Sequence, residues 1–389
     1  MAVVSLVRCS SYEEDELSTT IEKSLSDIGF SHKTLHGARV AIKPNLLTVT
    51  EDDSAVITHP AFFRAVVRLV KACGGTPVLV ESPAVHSLER VIKKTGYASV
   101  VEEEAVAVAD PAATRPLYFE GANRFKHIRI AEAYFDADII LALPKFKTHG
   151  ITYITGAVKL LFGAVPGMEK SKMHLRLPGH ADFADYLLDV YGAMAHGFNP
   201  PKPMIHIMDA VWALEGEGPG QAGRPRRMNA VLAGTDGVAV DWAAARLAGL
   251  DIEKAPTIIH GFERGYGVSC PADIRIKGEA MENLQITDFV PATGDSLFAR
   301  TNQWPLNTRT FRNLFVERPI PRPDLCTLCH QCRKICPAGA IGPAEQGRNV
   351  PSYDYGICIR CYCCLEICPE GAIEKKRGRL QWMLDFFGS

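Results

Sequence analysis

The stretch CTLCHQCRKICP returns as CIRCYCCLEICP thirty-two residues later, and this repeat constrains the chain more than anything else in it. Both runs read C-x2-C-x2-C-x3-C-P. The first holds Cys326, Cys329, Cys332 and Cys336, and the second Cys358, Cys361, Cys364 and Cys368. Each is followed by a small-residue turn, AGAI or EGAI. Nine of the twelve cysteines fall between Cys326 and Cys368, leaving only Cys9, Cys73 and Cys270 elsewhere. A secreted disulfide framework would spread its cysteines through a small chain. Packing them into one segment of a large one points to metal binding in a reducing compartment. Three thiolates two residues apart can wrap three corners of a cubane. Zinc ribbons instead separate their C-x2-C pairs by a longer loop.

This is the spacing of bacterial two-cluster ferredoxins, in which the fourth cysteine of each run serves the other cluster. The expectation is two [4Fe–4S] clusters. One would be held by Cys326, Cys329, Cys332 and Cys368, the other by Cys358, Cys361, Cys364 and Cys336. Cys363 belongs to neither set and reads as a small packing residue.

The 389 residues suit two or three domains, and 47% hydrophobic with 22% charged residues describes a globular chain. With 43 basic and 44 acidic side chains, bulk charge recruits neither nucleic acid nor membrane. The N-terminal MAVVSLVRCSSYEEDE lacks a secretory h-region, and no apolar run approaches the length of a transmembrane helix. The expected location is cytoplasmic.

Residues 38 to 250 alternate strand-like and helix-like stretches. ARVAIK, TPVLVES, ADIILALPK, PMIHIMDA and NAVLAGTD read as strands. HPAFFRAVVRLVKACG, LERVIKKTG and GVAVDWAAARLAG read as helices that stop at glycine. The expected fold is α/β, a mostly parallel sheet covered by helices, followed by a ferredoxin-like domain. The expected organisation is an α/β domain over 1–290, a connector over 291–320, the ferredoxin domain over 321–375 and an amphipathic tail over 376–389. The tail carries Trp382, Met383, Phe386 and Phe387 and suits docking onto this chain or a partner more than a membrane surface.

Polar residues close these strands: Lys43 and Asn45, Glu81, Lys145 with Lys147 and His149, Asp209, and Asp236. Loops are polar in any case. In an open α/β sheet, however, ligands bind outside the carboxyl ends of the strands, so the set can converge on one site. Lys159, in AVKLLF, either snorkels from a helix or sits in a pocket with a depressed pKa. The stretch ALEGEGPGQAGRPRR, with Glu215 and Glu217, reads as a solvated loop or as a mobile lid over an anion. No G-x-G-x-x-G follows a strand and no Walker lysine occurs, so a second cofactor stays unnamed.

The stretches IKPNLL, GGTPVLVESP, LPKFKTHGITYITGAVKLLFGAVPG, IMDAVWALEGEGP and AGTDGVAVDWAAARLAG, ahead of a ferredoxin repeat, resemble a family of bacterial and archaeal iron–sulfur proteins. The main domain of that family is catalogued only as a domain of unknown function. The segment from His149 to Lys159 also resembles the histidine, glycine-rich and lysine segment of nickel-pincer lactate racemases. That resemblance implies that His149 and Lys159 face one pocket.

The expected function is electron transfer through the clusters to an anionic small molecule, the work of a ferredoxin-linked oxidoreductase with a redox partner protein. Lys43, Lys145, Lys147, Lys159 and His149 would give the site its basic bias toward an anion, with Asn45 a further site candidate, and Asp209, Glu215 or Asp236 would donate protons or ligate metal. The alternatives are a non-catalytic electron-transfer subunit docked in a larger redox complex, and a racemase-like enzyme with an extra metal cofactor.

Overall fold

The computed structural model describes residues 1–167, 169–177, 179–293, 313–378 and 380. Most of the expected connector, and Trp382, Met383, Phe386 and Phe387 of the tail, lie outside that set.

The strands of the N-terminal part are β1 (Ala2–Arg8), β2 (Arg39–Pro44), β3 (Thr76–Leu79), β4 (Ala107–Val108), β5 (Thr114–Tyr118), β6 (His127–Ala131), β7 (Ile139–Leu143), β8 (Lys145–His149), β9 (Tyr153–Thr155), β10 (Met204–Gly216), β11 (Gly223–Gly234) and β12 (Ile274–Gly278). Ten of them form one sheet in the order β12-β1-β11-β10-β7-β2-β3-β4, with β8 paired to β10 and β9 to β8. β5 and β6 form a separate hairpin. From β10 through β7, β2 and β3 to β4 all pairings are parallel. The sheet is therefore mostly parallel, with antiparallel pairing of β11 to its neighbours and of β9 to β8.

Strand residues alternate between the faces, and both faces are covered. Ile139, Leu141 and Leu143 of β7 join the core that includes Leu17, Ile21, Phe62, Phe63 and Val66 of helices Glu14–Asp27 and Pro60–Ala72. Ile140 and Ala142 join the opposite core, with helices His180–His196 and Gly237–Leu247. Because β-strands point successive side chains to opposite faces, continuous apolar runs such as DIILAL are required here.

The C-terminal part holds β13 (Arg318–Pro321) paired with β16 (Ile373–Lys376), and β14 (Ile341–Ala344) paired with β15 (Pro351–Tyr353). Two short helices, Gln331–Ile335 and Cys363–Ile367, occupy equivalent places in the two halves of the repeat. The backbone repeats as closely as the sequence. Leu328 and His330 in the first run, and Arg360 and Tyr362 in the second, are all left-handed at φ 54 to 61°. Such left-handed residues turn consecutive N–H groups toward one concavity, the arrangement that cradles an anionic group.

One expectation about the sheet fails. β11 runs antiparallel to β10, with Gly234 beside His206 at the start of that strand. Asp236 therefore lies at the amino end of the parallel strands, away from Lys43 and Lys145. Its carboxylate accepts from Val238 and Ala239 N–H, capping helix Gly237–Leu247, and from Val268 N–H. It is a structural cap, and a polar residue after a strand is a crevice residue only when that strand runs parallel to its neighbours.

Candidate functional site

The carboxyl ends of β2, β3 and β7 lie side by side and bring buried lysines together. Lys43, fully buried, pairs with Glu81 at 2.8 Å. Gly163 packs directly on this pair, and a Cβ there would come within 2.4 Å of Lys43 Nζ. Lys145 pairs with Asp209 at 2.9 Å, and both are buried. Asp209 also accepts from Tyr12 Oη, His59 N and Val211 N, so it ties the segments of Tyr12 and His59 to β10 beside the end of β7. Lys147 Nζ donates to Val56 O at 2.8 Å and to Asn45 Oδ1 at 3.2 Å, with no carboxylate of its own. Burial, with Lys159 nearby, pushes its pKa well below the usual lysine value.

Lys159 sits on the short helix Ala157–Leu160, whose first N–H groups are held by the buried Asp241: Ala157 N and Val158 N both donate to its carboxylate. Gly156 has no room for a side chain, since a Cβ would approach Asp241 Oδ1 to 2.0 Å. Lys159 Nζ makes no hydrogen bond among the described residues. Burial lowers its pKa, and Glu366 opposes that shift.

His149 closes β8. Its Nδ1 accepts from Ile151 N at 3.0 Å and Thr152 N at 3.3 Å, which places the ring proton on Nε2. That atom lies 3.1 Å from Glu366 Oε1, off the hydrogen-bond axis. Burial, then Lys159, pulls the His149 pKa down to about 3, so the ring is neutral at physiological pH. Burial would raise the Glu366 pKa, but His149, Lys159 and His174 outweigh it and hold the carboxyl below its ordinary value. His174 is likewise neutral at physiological pH, pushed by burial to about 4.

Glu366 belongs to the C-terminal part, on helix Cys363–Ile367 between two cluster cysteines. This helix docks on the α/β part. Cys363, Ile335 and Ile367 form an apolar cluster against Ala84 and Val85, and Cys363 also borders the adjoining cavity. That cavity has a volume of about 80 Å³ and is lined by Lys159, Lys170, His174, Phe162, Glu366 and Cys363, among others.

The glycine-rich loop after β10 is not an open lid. Gly220 packs on the Glu366 carbonyl, where a Cβ would come within 2.4 Å, and Gln221 lies against Gly371. Glu217 pairs with Lys375 at 2.7 Å. The loop clamps the two parts together. Glu215 lies outside the lysine cluster, pairing with Arg224 at 3.5 Å and accepting from Val290 N.

The eight repeat cysteines fall into two crossed groups. Cys326, Cys329, Cys332 and Cys368 line one cavity. The Cys336 thiol is within electrostatic reach of Cys358 and Cys361, as Cys364 is of all three and of Cys332 in the neighbouring group. Cys336 and Cys368 each accept a backbone N–H, from Ala340 at 3.3 Å and from Ala372 at 3.2 Å. Both groups thus have the thiols and the left-handed loops that a [4Fe–4S] cluster needs.

The site unites Lys43, Asn45, Lys145, His149, Lys159 and Asp209 in one region, and separates Glu215 and Asp236 from it. Sequence reasoning missed Lys170, His174, Asp241 and Glu366. Lys170 and His174 stand four apart in EKSKMHLR, the spacing that puts two residues on one helix face, and that signal was legible.

Residues 40–246 match a family described as a domain of unknown function, DUF362, and residues 325–373 match a 4Fe-4S dicluster domain. A thylakoid-associated protein of Synechocystis is 33% identical over 257 residues, which is 66% of this chain and 77% of that protein. Among solved structures, the lactate racemase apoprotein of Thermoanaerobacterium thermosaccharolyticum is 14% identical with a TM-score of 0.33, over 53% of this chain and 51% of that one. A Thermotoga maritima protein is 13% identical with a TM-score of 0.39, over 62% of this chain and 60% of that one. The chain thus spans well under two thirds of either structure. Among the described residues, no helix is long and apolar enough to cross a membrane.

Proposed function

Because the chain belongs to the DUF362 family and carries a 4Fe-4S dicluster domain behind it, we propose that it is an oxidoreductase. It would carry two [4Fe–4S] clusters and act on an anionic small molecule at the lysine-rich ends of the sheet. The observation that carries this reading is Glu366: the helix bearing Cys364 plants this carboxylate 3.1 Å from His149 and against the cavity of Lys159. The cluster-bearing part is thus built into the wall of the candidate site. When bound, the clusters supply single electrons, drawn from a redox partner protein.

The chain's own residues have separable tasks. Lys159 and Lys170 attract the anion. His149, neutral with its proton on Nε2, holds a transferable hydrogen beside the Glu366 carboxylate. Lys145 and Asp209 fix the root of β8 and so the position of His149. Joining the two parts in one chain keeps electron source and acceptor together. Docking to a larger redox complex without catalysis requires no cavity at this junction, so the cavity favours an enzyme.

The test is anaerobic. The protein is reduced, freed of reductant and mixed with a panel of small anions while cluster absorbance is followed. At least one anion should reoxidise it more than tenfold faster than buffer. Lys159→Met and His149→Gln should abolish that acceleration with cluster spectra intact. Acceleration that persists in both variants contradicts the proposal.

A further inference from the structure

We infer that the cavity between the two parts of the chain is a binding site for a small monocarboxylate of about one to three carbons, held by Lys159, Lys170 and His174. The inference rests on the redox reading above and narrows its substrate class.

Charge is the first argument. Of the lysines gathered around this junction, Lys43 and Lys145 have carboxylates of their own. Lys147, Lys159 and Lys170 have no carboxylate within ion-pair distance among the described residues; Glu366 is the acid that lines the cavity, and Glu81, already paired with Lys43, lies farther off. Lys170, 8% exposed, donates only to the backbone carbonyls of Ser82 and Val165. A buried ammonium without a counter-ion is costly, and a bound anion removes that cost.

The cavity also holds a polar side chain without a hydrogen-bond partner among the described residues. His174 is also only 8% exposed, lines the cavity and stacks on Phe183 with ring centroids 4.2 Å apart. It makes no hydrogen bond among the described residues. A buried polar group of this kind is expected to have a partner, and the cavity is where one fits.

Size and lining give the class. At about 80 Å³ the cavity holds roughly six water-sized groups, taking about 10–15 Å³ for each. Leu47, Phe162, Ile335 and Ile367 make part of the wall apolar. Phosphate and sulfate would bring polar oxygens against these side chains. A short carboxylate puts its charge on the lysines and its carbon end on the apolar wall.

The pH dependence has a definite sign. Burial pushes Lys170 down to about 7, with Glu81 opposing and Lys43 and Lys159 reinforcing the shift. The other groups bordering the cavity are His174, Glu366 and the Cys363 thiol. Binding that needs the Lys170 ammonium is strong below pH 7 and weakens as pH rises through it. Between pH 6 and pH 8 the protonated fraction of a group of pKa about 7 falls about tenfold, and affinity should follow.

The experiment is calorimetry on the oxidised, cluster-replete protein, with acetate and propionate as probes and phosphate as comparison. The carboxylates should bind, about tenfold tighter at pH 6 than at pH 8, and phosphate should not. Lys159→Met should weaken binding more than tenfold. Lys170→Met should flatten the pH dependence, and it carries the test if the first variant fails to keep its clusters. Equal binding of phosphate, or carboxylate binding unchanged in both variants, overturns the site. If carboxylates fail to bind while some other acceptor still reoxidises the clusters, this site is wrong and the redox reading stands. If they bind but no acceptor reoxidises the clusters, the site stands and the redox reading fails.

Discussion

Asp209→Ala should destabilise the α/β part by about 3–5 kcal/mol, the usual cost of stripping one partner from a buried ion pair. Lys145 would keep an ammonium, 1% exposed, with Tyr12 Oη its one remaining hydrogen-bond partner among the described residues. The N–H groups of His59 and Val211 would lose their acceptor as well. Denaturant unfolding should show the midpoint falling with an unchanged slope. The double variant Lys145→Met with Asp209→Leu should recover much of the loss, because an apolar pair leaves no charge unanswered. A cost below about 1 kcal/mol for Asp209→Ala would mean that the pair does not fix the root of β8, against the buried-pair expectation.

The second large effect lies in the cysteine repeat. Cys368→Ala should remove the cluster of the other run, the one built on Cys326, Cys329 and Cys332, and leave that of Cys336, Cys358, Cys361 and Cys364. Iron should fall from about eight to about four per chain, the content of one cubane. Cys363→Ala, one residue before Cys364, should keep the full iron content, because this thiol packs with Ile335 and Ile367. Iron and sulfide analysis after anaerobic reconstitution checks both. Full iron in Cys368→Ala, or half in Cys363→Ala, contradicts the crossed assignment.

The two halves of the chain differed in how openly their sequence spoke. The cysteine spacing announces its cofactor because thiolates on one short loop must meet one body. Strands such as ARVAIK and DIILALP were legible because both their faces are buried, so no polar residue interrupts them. Lys43, Lys145 and Lys159 were legible as candidates because lysine is rare among apolar neighbours. Asp236 misled because the direction of β11 is a property of the whole sheet. Its local sequence, AVLAGTD, ends like that of a parallel strand. Glu366 was illegible for a related reason. A charged residue between cluster cysteines reads as surface until a second domain covers it, and that docking depends on Gly220, Gln221 and Lys375 acting together. The loop of Glu217 read as a lid because glycines suggest motion. Here they allow backbone to approach backbone.

Cys363 borders the cavity of Lys159 and packs with Ile335 and Cys361, so that cavity should adjoin the cluster expected on Cys336, Cys358, Cys361 and Cys364. EPR of the anaerobically reduced protein, recorded with and without acetate, tests it most directly. Acetate should shift the signal of that cluster, leave the other unchanged, and have no effect in Lys159→Met. Signals from both clusters that ignore acetate while calorimetry shows it bound would contradict it.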